Sequence, residues 1–248
     1  MGRLEGKVAI VTGGARNIGA VYARRLAAEG ACVAVADVLD GSATAEAIQE
    51  HGGRAISIEV DVTREDNTLH MAKVAKETFG HIDVLVNNAA IYLSINRRPF
   101  YEISEEEWNR VTDVNIKGVF LCTKAVLPHM REQGAGKVIN ISSNTAMAGT
   151  PNFLHYVASK SALIGMTRSM ARELGPFCIN VNAIAPGLVE HDGQTVPPEI
   201  SASRIDARSI KRQQVPQDLT GALLYLASTD SDFVTGQTLV VDGGNIVY

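Results

Sequence analysis

The sequence predicts an α/β protein, a doubly wound parallel sheet forming one domain over residues 1–248, and three observations carry that prediction. Strand-like and helix-like segments alternate almost from end to end. The strand-like segments are near-continuous runs of Val, Ile, Leu and Ala, the pattern of strands covered by helices on both faces. A glycine-rich turn, "TGGARNIG", joins the first strand to the first helix, the position at which βαβ units bind nucleotides.

The elements follow in order. "KVAIVTG" reads as a strand, "IGAVYARRLAAEG" as a helix closed by Gly30, and "CVAVADV" as a second strand running to Asp37. A polar-faced helix covers 41–52, "RAISIEVDV" is a third strand, and "REDNTLHMAKVAKETFG" is a helix stopped at Gly80. "IDVLVNNAA" makes the fourth strand. The stretch 104–130 opens with Ser104 and, three residues later, Glu107, a capping box, and reads as one long helix. "GKVINISS" is the fifth strand, "YVASKSALIGMTRSMARELG" a helix and "INVNAIAPG" the sixth strand. "DLTGALLYLAS" and "GQTLVVDGG" supply a last helix and a last short strand. The segment 188–214 reads as an irregular insertion just beyond a strand's carboxyl end, where ligands bind in such sheets.

Composition excludes several function classes. Of 248 residues, 46% are apolar and 20% charged, the balance of a globular protein with a sizeable core. A net charge of -4 creates no field that gathers polyanions, so neither nucleic acid nor an acidic membrane surface is an expected partner. No apolar run approaches the roughly 18 to 20 residues that cross a bilayer. "MGRLEGKVAIV" lacks the length and cleavage site of a secretory signal, so a cytoplasmic protein is expected. Cys32, Cys122 and Cys178 are odd in number and lie in apolar stretches, which predicts reduced core thiols and no metal site.

Gly13, Gly14 and Gly19 allow the backbone to approach a pyrophosphate, and the amides of the following helix favour its charge. Asn17 stands where another glycine is common, and asparagine tolerates the left-handed conformation best after glycine. Asp37 ends the second strand, where a carboxylate accepts hydrogen bonds from ribose hydroxyls and repels a 2′-phosphate. Arg16, in the loop, offers the opposite pairing with such a phosphate, or is a solvated charge. Asp37 is given the greater weight, and NAD is the expected cofactor.

"YVASK" places Tyr156 and Lys160 four residues apart, on one face of a helix. Ser142 and Ser143 end the fifth strand at the same sheet edge as the glycine loop. Carbonyl reduction needs a proton donor and a hydrogen bond to the substrate oxygen, with hydride from a cofactor. An ammonium and a positive nicotinamide beside the Tyr156 phenol are expected to lower its pKa toward neutrality.

"TGGARNIG", "NNAA", "VNIKG", "NISS", "YVASK" and "AIAPG" occur in the order and approximate spacing of the short-chain dehydrogenase/reductase family, which the chain resembles over nearly its whole length. The resemblance implies a Rossmann fold. It also implies that Tyr156 is the general acid/base and that Ser143, thirteen residues before it, hydrogen-bonds the substrate oxygen. Lys160 would bind the nicotinamide ribose and Asn115 hold a water in a proton relay. Gly13, Arg16, Asn17, Ile18 and Gly19 would bind the cofactor along the glycine loop, Asp61 and Val62 would hold the adenine, and Asn88 and Ala89 would pass close to the ribose. Pro186, Gly187 and Val189 would reach the nicotinamide amide. Homotetramers are usual in the family. Ser142, one residue out of step, faces the other side of its strand. Asn17, Ala90 and His191 depart from the family's usual residues, and His191 leaves one cofactor contact open.

"NTAMAGTPNFLHYVASK" with "PGLVEHDG" resembles the pyridoxal 4-dehydrogenases, and "VPQDLTGALLYLAS" through "TGQTLVVDGG" the 1-phenylethanol dehydrogenases, which implies NAD-linked oxidation of a small cyclic, aromatic or polyol secondary alcohol. The alternatives are a 3-oxoacyl-thioester reductase, which sits badly with Asp37, and a non-catalytic nucleotide sensor or scaffold, which the intact Ser143, Tyr156 and Lys160 argue against. Residues after Tyr92, those between Asn144 and His155, and 188–214 are expected to line the substrate cleft. Arg204, Arg208, Lys211 and Arg212 read as a solvated helix face rather than an anion pocket, and His155 as a packing or rim residue.

Overall fold

The computed structural model describes residues 2–190 and 198–247. Seven strands, β1 (Val8–Thr12), β2 (Cys32–Asp37), β3 (Arg54–Glu59), β4 (Val84–Asn87), β5 (Gly136–Ile141), β6 (Ile179–Pro186) and β7 (Thr238–Val241), form one parallel sheet in the order β3-β2-β1-β4-β5-β6-β7. The chain winds outward from β1 to β3, then returns to lay β4 against the other side of β1. Strand order therefore reverses between β1 and β4, which opens a crevice at their carboxyl ends.

Alternate residues of each central strand feed two separate cores. Ala9 and Val11 of β1 face α1 (Asn17–Ala28), α2 (Ser42–Glu50) and α9 (Thr220–Ala227), with Tyr22, Leu26, Ile48 and Leu223 in the same cluster. Ile10, between them, faces the opposite way. It joins the core made with α3 (Glu65–Phe79), α5 (Gly118–Gln133) and α7 (Leu154–Leu174), through Met71, Val126 and Leu174. Two buried faces explain the unbroken apolar runs. The edge strand β3 is less covered: Ala55 and Ile58 are buried, one in each core, while Arg54, Ser57 and Glu59 are exposed.

Four expectations need correction. The run 104–130 is not one regular helix: α4 (Glu105–Thr112) passes through a π turn at Asp113–Lys117 before α5 begins. Ser104 does accept a hydrogen bond from the Glu107 amide at 3.1 Å, but the Glu107 carboxylate faces Arg98 and His155, so the capping box is half built. The insertion 188–214 contains α8 (Pro198–Ala207), and the loop after β5 contains the single turn α6 (Thr145–Ala148). Cys178 is exposed, in a left-handed turn at φ 56°, whereas Cys32 and Cys122 are buried thiols as expected. Among the described residues no helix is long and apolar enough to cross a membrane.

Candidate active site

At the switch point the ends of β1 and β4 are locked together. The Thr12 hydroxyl donates to the Val86 carbonyl and accepts from the amides of Asn88 and Ala89 at 3.0 and 3.1 Å. The Asn88 side chain donates to the carbonyls of Thr12 and Gly13, both at 3.0 Å. Gly13 adopts φ 64°, and a Cβ there would come within 2.8 Å of the Ala89 Cα. A Cβ on Gly19 would meet the Gly13 carbonyl oxygen at 1.9 Å, so both positions exclude any side chain. Asn17 takes φ 54°, the left-handed conformation expected of it. No side chain caps α1, which leaves its first amides to an outside acceptor.

The Asp37 carboxylate closes the far side of this loop, accepting from the amides of Ala15 and Leu39, each at 3.0 Å. It is thus a fixed anion that also braces the glycine turn. Arg16 is exposed and Ile18 borders the central cavity. Asp61 accepts from the Thr63 amide and hydroxyl at 2.9 and 2.7 Å, and the buried Val62 packs where Gly118 has no Cβ.

The second half of the site comes from β5 and α7. Tyr156 and Lys160 share a helix face, with the ammonium nitrogen 5.8 Å from the phenol ring centre and donating to the Ile141 carbonyl at 2.7 Å. The Ser143 hydroxyl lies at the same cavity and accepts from the Thr145 amide and hydroxyl at 3.2 and 3.0 Å. Ser142 Oγ instead donates to the Lys160 carbonyl at 2.8 Å, fastening strand to helix. Asn115 sits in the π turn with its side chain held at both ends, accepting from the Ile91 amide and donating to the Ile91 carbonyl and Ser159 Oγ.

Residues 13–245 match the family described as enoyl-(acyl carrier protein) reductase. The chain is 42% identical to the 3-alpha-(or 20-beta)-hydroxysteroid dehydrogenase of Mycobacterium tuberculosis, over 99% of this chain and 91% of that one. It is 38% identical to the cis-4-hydroxycyclohexanecarboxylate dehydrogenase of Sinomonas cyclohexanicum, over 96% of each. A double mutant of a Serratia marcescens short-chain dehydrogenase/reductase superposes with a TM-score of 0.91 at 34% identity, covering 98% of this chain and 99% of that one. The chain belongs to the short-chain dehydrogenase/reductase family. As a member it is an oxidoreductase acting on alcohols, with a nicotinamide dinucleotide, NAD or NADP, as cofactor. The residues at the switch point fit such a group: a cradle closed to side chains, open helix amides and a carboxylate fixed at its rim.

In this short-chain dehydrogenase burial dominates the protein's own contribution to the electrostatics. Burial pushes the Tyr156 phenol above its usual value, helped by Tyr92; Ser143 and the Arg97 charge pull it down without prevailing. Burial also pushes the Lys160 amine down, to about 8. Within the protein alone the lysine does not offset burial of the phenol, because the same dry surroundings disfavour the ammonium that would do so.

The cavity, about 290 Å³, is bounded by Tyr92, Asn144, Phe153, Leu188 and Val189, from the three segments expected to line it, with Pro186 and Gly187 at its edge. The basic stretch, however, is not a solvated face. Arg204 and Arg208 both border the cavity, and Arg208 is only 4% exposed, donating to the carbonyls of Leu188 and Arg212. Arg212 pairs outside with Asp218 at 2.7 Å, and Lys211 donates to the Asp206 carbonyl. His155 is fully buried against Glu107 at 3.3 Å, a packing role. Two contributors carry no signal in the sequence: Thr145, which aligns Ser143, and Arg97, which lies over the Phe153 ring at 4.6 Å. His191 lies outside the described residues.

Proposed function

We propose that this enzyme oxidises a small secondary alcohol, cyclic, aromatic or polyol-like, with NAD, or reduces the matching ketone with NADH. The observation that carries the reading is the convergence of the Ser143 and Tyr156 hydroxyls on one cavity at the switch point, with the buried Lys160 one helical turn on. When bound, the nicotinamide would supply or accept the hydride, and its oxidised form would bring positive charge to the site. Two relatives, a hydroxysteroid dehydrogenase and a hydroxycyclohexanecarboxylate dehydrogenase, support a cyclic secondary alcohol.

Tyr156 passes the proton to or from the substrate oxygen, as general acid or base. Ser143, oriented by Thr145, donates a hydrogen bond to that oxygen. Lys160 holds a ribose hydroxyl and, when charged, favours the phenolate. Asn115 spends both amide protons and one oxygen lone pair on Ile91 and Ser159, which fixes the side chain, and a relay water would sit on its remaining acceptors. Gly13, Arg16, Asn17, Ile18 and Gly19 receive the phosphates, Asp61 and Val62 the adenine, Asn88 and Ala89 the ribose, and Pro186, Gly187 and Val189 the amide. Asp37 selects NAD, since its fixed charge repels a 2′-phosphate.

A cytoplasmic homotetramer is the expected state, for which the exposed Leu239 and Val247 near the terminal strand offer apolar contact surface; light scattering on the eluting protein measures it. The activity itself is tested by NADH absorbance against a panel of secondary alcohols and ketones. Turnover with NAD exceeding that with NADP supports the reading. Tight nucleotide binding with no turnover of any member, and no effect of Tyr156→Phe, would return the protein to the sensor class.

A further inference from the structure

We infer that the substrate carries a carboxylate, seated on Arg97 and Arg204 at the cavity wall away from the glycine loop. The inference rests on the dehydrogenase reading above and narrows its substrate class.

Three guanidinium groups, those of Arg97, Arg204 and Arg208, border one cavity of about 290 Å³. Among the described residues lining it none is acidic. Gathering like charges in a partly enclosed space is unfavourable unless an anion joins them. The three are not equivalent. Arg208 donates to the Leu188 and Arg212 carbonyls, which holds the wall together, and its charge already faces the carboxylates of Asp242 and Glu190. Arg97 and Arg204 have no ion pair among the described residues.

Arg97 is placed rather than adrift. Its guanidinium lies 4.6 Å over the Phe153 ring, and Phe153 stacks on Tyr156 with centroids 4.6 Å apart and planes at 24°. The next residue ties down the loop: Arg98 donates its amide to the Asn152 carbonyl at 3.1 Å and pairs with Glu107 at 3.5 Å. Glu107 in turn holds His155, the neighbour of the reacting tyrosine. A guanidinium stacked on an aromatic face presents its N–H edge sideways, the fork that binds a planar carboxylate through two parallel hydrogen bonds. One ring lies between Arg97 and Tyr156, so the alcohol carbon and the carboxylate should be separated by a small ring or a short chain. The reading of 204–212 as a solvated face fails on the same geometry, since the cavity admits Arg204 from α8 while Arg97 reaches it from a loop that the sequence does not connect to it.

The test compares hydroxycyclohexanecarboxylic and hydroxyethylbenzoic acids with their methyl esters, by turnover with NAD and by thermal shift of the NADH complex. An acid-over-ester preference of about 100-fold in kcat/KM is expected for the wild type, the effect of a bidentate charged pair. Arg97→Met and Arg204→Met should each cut that ratio about tenfold or more, and Arg97→Lys should restore part of it. Retained stabilisation by NADH shows that the variants fold. Esters turned over as well as acids, or a preference untouched by both Met variants, would overturn the carboxylate seat while leaving the dehydrogenase reading intact. Failure of every acid to stabilise the NADH complex would overturn it too. Acids that stabilise the complex through Arg97 but are never oxidised would support the seat and count against the dehydrogenase reading.

Discussion

The two sides of the crevice are built differently. The dinucleotide side is backbone: Gly13 and Gly19 are packed too closely for any Cβ, Asn17 is left-handed, and Thr12, Asn88 and Asp37 spend their hydrogen bonds on main-chain partners. The substrate side is side chain: Arg97, Phe153, Arg204 and Arg208 project from irregular segments and a short helix. A backbone cradle recognises what all dinucleotides share, whereas side chains on loops recognise one substrate and change without disturbing the sheet. The reacting groups stand on the border, Ser143 just beyond the end of β5 and Tyr156 and Lys160 on α7.

That contrast yields graded tests. Tyr156→Phe removes the proton and leaves both walls standing, so kcat/KM should fall about 1,000-fold or more while NADH affinity changes far less. Equal losses in both would mean the two sides are not separable.

Lys160 tests the cost of burial at the border. Below pH about 8 its amine is charged in folded and unfolded chains alike. Between there and its ordinary value of 10.5 the unfolded chain keeps the proton and the folded one has lost it, so stability rises with pH. Above about 10 the Tyr156 phenol, which holds its proton more firmly when folded, begins to act in the opposite direction. Denaturant titrations of the protein without nucleotide should therefore show the wild type gaining on Lys160→Met from pH 8 to 10, by up to roughly 3 kcal/mol. A flat difference would mean that the ammonium is not desolvated.

Gly19→Ala forces a methyl onto the Gly13 carbonyl, and the Kd for NADH should rise about 100-fold with the sheet intact. Asp37→Ala is smaller: the NAD-over-NADP preference should narrow about tenfold, with some loss of stability because the Ala15 and Leu39 amides lose their acceptor.

The same contrast explains what the sequence disclosed. Two-sided apolar strands, glycine stops such as Gly80 at φ 94°, and Asn17 in the left-handed region are local facts, legible without the fold. The π turn at Asp113–Lys117 is not, because the apolar pattern runs through it and only the packing of Asn115 against Ile91 marks it. Four residues of α6 are too few to show a period, and α8 has no strongly apolar face. Arg97 gains meaning only from Phe153, which the fold brings beneath it, and a stretch holding four basic residues looks solvated until Arg208 is seen buried. The phenol was expected to be acidified by its lysine neighbour together with a bound nicotinamide; in the protein alone burial, a tertiary property, pushes it the other way.

The central claim is hydride transfer at a carbon held by Tyr156 and Ser143. It is tested most directly by reducing a cyclic or aromatic ketone with NADH deuterated at the transferring C4 position and reading the product by mass spectrometry. The account predicts one deuterium on the carbinol carbon with wild-type enzyme and almost no product with Tyr156→Phe. Product formed at undiminished rate by Tyr156→Phe, or alcohol carrying no deuterium at that carbon, would contradict it.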